Sequence, residues 1–237
     1  KILVDCGLQQ GRDELDNRYL AFAPGNIDIL LVTHAHIDHT GRIPLLVKNG
    51  FHGRILTTRL TADLMKIMLL DSAHIQESDA EYENRKGERA GREHVDPLYT
   101  EQDALDVFKY VTTCEYEEKV DLCEGVSALF TDAGHLLGSA SITIELEENG
   151  VHKTIVFSGD IGNVDQPIIR DPQLLKKADY VVMESTYGDR NHTEVWSYTD
   201  ELAEIIDETL GKGGNVVIPS FAVGRTQELL YFIREIK

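Results

Sequence analysis

Thirteen residues, Leu31 to Ile43, constrain this chain more than any others; they read LVTHAHIDHTGRI. They set His34, His36, Asp38 and His39 in an H-x-H-x-D-H pattern directly behind the apolar run Ile27 to Val32 (IDILLV). That run is short, rich in branched aliphatic residues and bounded by Pro24-Gly25-Asn26, which predicts a buried strand. The four side chains are then expected on a tight loop at the strand's end. Three imidazoles and a carboxylate within six positions exceed what packing asks of a loop. Imidazole nitrogen and carboxylate oxygen are zinc ligands, and imidazole also suits iron and nickel. Ligands so close in sequence do not all face one ion comfortably. The spacing therefore predicts two adjacent metals, with His34 and His36 on one and Asp38 and His39 on the other.

At 237 residues the chain can bury a substantial core, as one large domain or two small ones. A hydrophobic content of 42% with 27% charged residues suits a soluble globular protein. No apolar run reaches membrane-spanning length, so no membrane partner is expected. Cys6, Cys114 and Cys123 are odd in number and lack C-x-x-C spacing, which points to thiols of a reducing compartment and a cytoplasmic location. The net charge of −18 excludes a broad basic surface for polyanions. It still admits a narrow cleft in which bound metals supply positive charge. Lys1 is not methionine and KILVDCG begins inside a strand, so the chain is expected to continue upstream.

In chain order, Lys1 to Cys6 reads as a strand that leaves Asp5 at its end. That acid reads equally as a carboxylate orienting a ligating histidine or as a turn former before Gly7. Gln9 to Asn26 reads as a polar loop with some helical character. A helix runs to about Lys48 and a short strand spans Ile55 to Thr57. A long helix from Thr61 to about Glu83 carries an apolar stripe of Leu64, Ile67, Met68, Leu70 and Ile75. From Glu83 to Pro97 the chain turns polar, and Arg85, Lys86, Arg89 and Arg92 read as a solvated face before a phosphate contact. Glu101 to Tyr110 is a helix with Thr100 as its N-cap. Val126 to Thr131 reads as a strand delivering His135 on a glycine-flanked loop, a ligand position in a chain that already owns a metal motif. Ser141 to Glu145 returns, and Thr154 to Phe157 leads to Ser158-Gly159-Asp160. Asp160 repeats the pattern of strand, glycine, acid; its carboxylate is suited to bridge both metals, and otherwise serves a glycine turn.

Asp5, the His34/His36/Asp38/His39 run, His135 and Asp160, in that order and each at a strand end, resemble the metallo-β-lactamase superfamily. The resemblance implies an α/β fold, a four-layer αββα sandwich with a dinuclear zinc site between two sheets. It assigns His34, His36 and His135 to one zinc, and Asp38, His39 and a bridging Asp160 to the other. Two segments narrow the match. Tyr180 to Met183 is a strand ending in Glu184-Ser185-Thr186-Tyr187-Gly188. Beyond a helix at Thr199 to Leu210 and a strand at Asn215 to Ile218 comes Pro219-Ser220-Phe221-Ala222-Val223-Gly224-Arg225-Thr226-Gln227-Glu228. Both are similar to the β-CASP branch, which includes the mRNA 3′-end endonuclease and ribonuclease J. The expected division is a metallo-β-lactamase-like domain over residues 1–188 and the start of a β-CASP cap over 189–237.

This resemblance implies a zinc-dependent hydrolase of single-stranded RNA, with Asp38, Asp160 and Glu184 in the catalytic machinery. Two zincs would activate water against the phosphorus. Glu184 would orient a cap histidine that protonates the leaving oxygen. None of His52, His74, His94, His152 or His192 stands in that histidine's context. The last helix, Glu228 to Ile236, also leaves an apolar face uncovered, so a longer protein is expected. Arg225 reads as a phosphate contact at a helix N-terminus or as an ordinary strand-to-helix turn. Endonucleolytic and exonucleolytic cleavage stay open, a homodimer is admitted, and no aromatic platform for stacked bases stands out. A hydrolase of esters, thioesters or lactams would share the ligands without needing the ESTYG or GRTQE segments. A non-catalytic scaffold subunit would typically have lost ligands.

Overall fold

The computed structural model describes residues 1–11, 17–175, 177–190 and 198–236. Part of the expected Gln9 to Asn26 loop, the side chain of Arg89 and the segment 191–197 lie outside the described residues. The chain forms two units, residues 1–164 with 171–184, and residues 165–170 with 185–237.

The first unit is built on two sheets. β1 (Ile2–Val4), β2 (Ile29–Leu31), β3 (Arg54–Thr58) and β4 (Val111–Cys114) form an all-parallel sheet in that order. β5 (Lys119–Cys123), β6 (Val126–Asp132), β7 (Ala140–Glu148), β8 (Val151–Phe157) and β9 (Tyr180–Val182) form the second, antiparallel until β9 joins parallel to β8. β2 explains its own hydrophobicity. It is covered on both faces, as interior parallel strands are. Leu30 and Val32 pack with Ile43, Leu46, Met65 and Leu69, so one face meets the helices. Ile29 and Leu31 pack with Phe130, Ile142 and Ile144, so the other meets the second sheet. Helices, first sheet and second sheet thus stack as successive layers.

The helices are α1 (Ile37–Thr40), α2 (Ile43–Lys48), α3 (Arg59–Ala90) and α4 (Glu101–Asp106). Thr100 caps α4 in a capping box with Asp103, as its sequence predicts. α3 differs from expectation. It runs 32 residues, through the stretch read as a polar turn, and ends where the Arg92 N–H reaches back to the Gly87 carbonyl. Its buried stripe is Met65, Leu69, Ala73 and Ala80, whereas Ile67 and Ile75 are 61% and 51% exposed. Positions 65, 69 and 73 follow the i, i+4 rule, and 67 and 75 lie off that line. Arg85 and Lys86 are exposed on the helix itself, with the Lys86 ammonium over the Tyr82 ring. The sequence reading also omitted β4 and β5, whose residues are mostly half-buried or exposed and carry little apolar signal.

In the second unit α5 (Tyr198–Gly211) packs with α6 (Arg225–Ile236). Side chains of the GRTQE segment shape the start of α6: Gln227 accepts from the Gly224 N–H, and Thr226 donates to the Phe221 carbonyl. Asn215 to Ile218, expected as a strand, joins no ladder among the described residues. A strand exists only with a hydrogen-bonding neighbour, and none of these residues provides one. No described helix is long and apolar enough to cross a membrane.

Phe130 lies opposite Ile142 on the inner face of the second sheet and is fully buried. Phe130→Ala is expected to destabilise the fold by about 3–5 kcal/mol, because the facing sheets cannot close over the void. Urea unfolding followed by circular dichroism measures this directly.

Candidate metal centre

All the candidate residues of the first unit leave strands at the same end. Asp5 follows β1, His34 to His39 follow β2, His135 follows β6, Asp160 follows β8 and Glu184 follows β9. β1 and β2 are parallel, as are β8 and β9, while β6 and β8 both run against β7 and so share a direction. Backbone contact joins the two sheets at this end, where the Ala140 N–H donates to the Thr33 carbonyl. The run after β2 is not a single loop, as the sequence reading expected. His34 and His36 lie outside any regular element, whereas Asp38 and His39 lie on the helical turn α1, with His36 at its N-cap. That change of backbone conformation sends the two ligand pairs in different directions.

Three ring nitrogens converge. His34 Nε2 is 3.1 Å from His36 Nδ1, and His135 Nε2 is 3.2 Å from the same atom. With Asp160 they form one group whose ligand atoms all lie within 4.8 Å of one another. Asp160 stands between two sets of donors. Its Oδ2 is 3.7 Å from His34 Nε2 and 3.6 Å from His135 Nε2, while its Oδ1 is 3.2 Å from His39 Nε2. Asp38 Oδ2 approaches His39 Nε2 at 4.0 Å and is half exposed. A cavity of about 310 Å³ adjoins His39 and Asp160, with Asp5, Thr33, Met183 and Glu184 among its lining residues.

The donor set fits a metal. Three nitrogens around one point cannot all satisfy one another by hydrogen bonds, since each shared proton serves only one pair. A tetrahedral zinc with bonds of about 2.0–2.1 Å separates its ligands by roughly 3.3–3.4 Å, close to the spacings here. His34, His36, His135 and Asp160 would hold one ion; Asp38, His39 and the other oxygen of Asp160 offer donors to a second.

Asp5 organises this set. It accepts from the Thr33 N–H at 2.8 Å, the Thr33 hydroxyl at 2.7 Å and His39 Nδ1 at 2.7 Å. The Thr33 hydroxyl spends its single proton on Asp5, so at 3.1 Å it accepts from His34 Nδ1–H. Both His34 and His39 therefore carry a proton on Nδ1 and aim Nε2 into the cluster. The contact with His39 Nδ1 is the one that a reading of Asp5 as an orienting carboxylate requires.

Protonation follows from surroundings. Burial holds His34, 1% exposed, well below the ordinary histidine value, with the neighbouring His39 adding to the effect. Burial likewise lowers His36 and His135. These three rings are neutral, as ligands must be. His39 goes the other way: burial opposes its charge, but hydrogen bonds to Asp160 and Asp5 raise it to about 10. Asp160 is lowered to about 2 despite its own burial, chiefly because the hydrogen bond from His39 favours the carboxylate. An arriving cation would take the place of the His39 proton.

Two contacts at the site were invisible in sequence. A Cβ on Gly7 would lie 1.5 Å from the Asp38 carbonyl oxygen, and one on Gly162 would lie 1.6 Å from that of Gly134. Only glycine lets these loops touch. Glu184 lines the same cavity as His39 and Asp160, and its Oε1 accepts from the Ile161 N–H at 2.7 Å. Arg225 heads α6 in the second unit and lies 3.8 Å from Glu228 one turn on.

Asp5→Ala is expected to weaken zinc binding by about 10–100-fold, the usual loss when a ligand's orienting partner is removed. Competition against a chromophoric chelator reads the change, and an unaltered affinity would contradict the role given to Asp5.

The sequence matches the metallo-beta-lactamase superfamily over residues 1–209. It is 37% identical to Ribonuclease TTHA0252 of Thermus thermophilus, the match covering 98% of this chain and 49% of that relative. It is 33% identical to Transcription termination factor FttA of Methanosarcina mazei, over 99% of this chain and 36% of the relative. Probable RNase MJ4 of Methanocaldococcus jannaschii is 32% identical, over 99% and 51%. The chain thus spans about half or less of the length of these relatives. With the matched residues running from the first strand past Asp160 and Glu184, the chain belongs to the metallo-beta-lactamase superfamily.

Proposed function

We propose that this chain carries the metal-binding part of a zinc-dependent nuclease of the β-CASP branch that hydrolyses phosphodiester bonds of single-stranded RNA. The observation that carries the reading is the position of Asp160, one oxygen toward His34 and His135 and the other toward His39, as a carboxylate shared by two ions requires. Similarity to two proteins named as ribonucleases supports RNA as the substrate. The ESTYG and GRTQE segments support the β-CASP branch. Three cysteines, all free of disulfides, are in keeping with a cytoplasmic protein.

Paired zincs, when bound, would supply an activated water and positive charge at the non-bridging phosphate oxygens. The chain's own residues do the rest. His34, His36 and His135 present neutral nitrogens from a rigid strand end, so little reorganisation accompanies binding. Asp38, on the exposed side of α1, is the ligand nearest to solvent and hence to an incoming substrate. Asp160 keeps its negative charge throughout and fixes the separation of the two donor sets. In a chain of net charge −18, bound metals would supply positive charge toward a polyanion that the chain as a whole does not.

The test is metal content and cleavage of a 5′-labelled single-stranded RNA by the intact protein. About two zinc ions per chain are expected. Cleavage should vanish on chelation and return with zinc. Asp38→Ala should cost at least about a hundredfold in rate, the scale of losing one preorganised charge-stabilising contact. Absence of bound metal, or cleavage indifferent to Asp38→Ala, would defeat the proposal.

A further inference from the structure

Asp160 sits in the short loop that follows β8, and nearly every peptide around it is fastened. The Ser158 N–H donates to the Val182 carbonyl at 2.9 Å, and the Ser158 carbonyl accepts from the Ser141 hydroxyl at 2.7 Å. The Ser158 hydroxyl donates to the Gly159 carbonyl at 2.6 Å and accepts from the Glu184 N–H at 3.1 Å. Beyond Asp160, the Gly162 N–H donates to the Ala133 carbonyl at 2.9 Å. Between Gly159 and Gly162, among the described residues, a single backbone group is tied down. That group is the Ile161 N–H, held by Glu184 Oε1 at 2.7 Å.

We infer that Glu184 is a positioning residue whose carboxylate latches the peptide following Asp160 and thereby fixes the orientation of that bridging carboxylate. The inference rests on reading Asp160 as a metal ligand. Among the described residues the Asp160–Ile161 peptide has no other hydrogen bond, and a rotation of it would swing the carboxylate away from one or other donor set. A charged acceptor on a backbone N–H is among the stronger hydrogen bonds a side chain makes. Glu184 is itself anchored, since its own N–H is held by Ser158 and β9 is laddered to β8 immediately before it. The latch therefore joins two adjacent strand ends into one support. It uses one carboxylate oxygen of a residue that also lines the cavity beside His39 and Asp160.

Zinc affinity and amide exchange test the latch without reference to cleavage. Zinc binding would be measured by chelator competition for the wild type and for Glu184→Ala, Glu184→Gln and Asp160→Ala. Exchange of the Ile161 amide would be followed by residue-resolved NMR in the metal-free proteins. Glu184→Ala is expected to weaken zinc about 10–100-fold. It should also speed Ile161 exchange at least about tenfold, as the amide loses its acceptor. Glu184→Gln, whose amide oxygen still accepts, should hold both within about threefold of wild type. Wild-type affinity and exchange in Glu184→Ala would overturn the latch, leaving Glu184 to act on substrate alone. Equal losses in the Gln and Ala variants would also overturn it, because charge rather than the hydrogen bond would then be responsible. Wild-type protein binding zinc no better than Asp160→Ala would instead overturn the metal reading on which the latch stands.

Discussion

The hydrogen bonds converging on Asp5 are what the rest of the centre depends on. A carboxylate accepting a backbone N–H, a threonine hydroxyl and an imidazole N–H joins the end of β1 to the end of β2 and to the helical turn after it. Asp5 adopts a left-handed backbone, φ 56°, to do so. That conformation costs on the order of 1–2 kcal/mol for a residue with a Cβ, though aspartate tolerates it better than most. Charge-assisted hydrogen bonds offset a cost of that size. The result is a pair of histidines whose Nδ1–H groups are already held, and whose Nε2 atoms are already aimed, before any ion arrives.

The sheets provide the second constraint. Parallel strands of the first sheet and the β6, β8 and β9 strands of the second all end on one side, so ligands from distant parts of the sequence meet without long loops. His36 and His135 are 99 positions apart and their ring nitrogens lie 3.2 Å apart. Such placement is available because both strands behind them are locked into ladders and into the core that the sheets share. Close glycine contacts then remove the remaining slack, Gly7 against the carbonyl of Asp38 and Gly162 against that of Gly134. A site built this way keeps its geometry at the rigid end of the molecule and leaves only Asp38 half exposed to the outside.

Electrostatics divide the centre in two. His34, His36 and His135 are neutral because burial penalises their charge. His39 and Asp160 carry opposite charges and stabilise one another. The neutral set needs no proton loss to receive a cation, whereas His39 would first have to give up its proton.

The sequence by itself determined which donors are available. H-x-H-x-D-H behind an apolar β-branched run, then His135 and Asp160 behind two more, singles out candidate ligands, because strand ends can be read from hydrophobic pattern and turn residues. It also determined the two-sided burial of β2 and the capping of α4, both local properties. Tertiary structure decided what depends on partners distant in the chain. The role of Asp5 was undecided in sequence, since an acid before glycine looks the same whether it makes a turn or holds a histidine 34 positions away. α3 passed for a shorter helix because its polar second half carries no apolar periodicity, and Ile67 and Ile75 passed for core because only packing reveals which stripe is covered. β4 and β5 escaped notice because edge strands need not be hydrophobic. The contact of Glu184 with the Ile161 N–H was likewise out of reach of the sequence, because it joins two strand ends 23 positions apart. Which side chains are present is written in the chain; which of them touch is settled only when the two sheets close on one another.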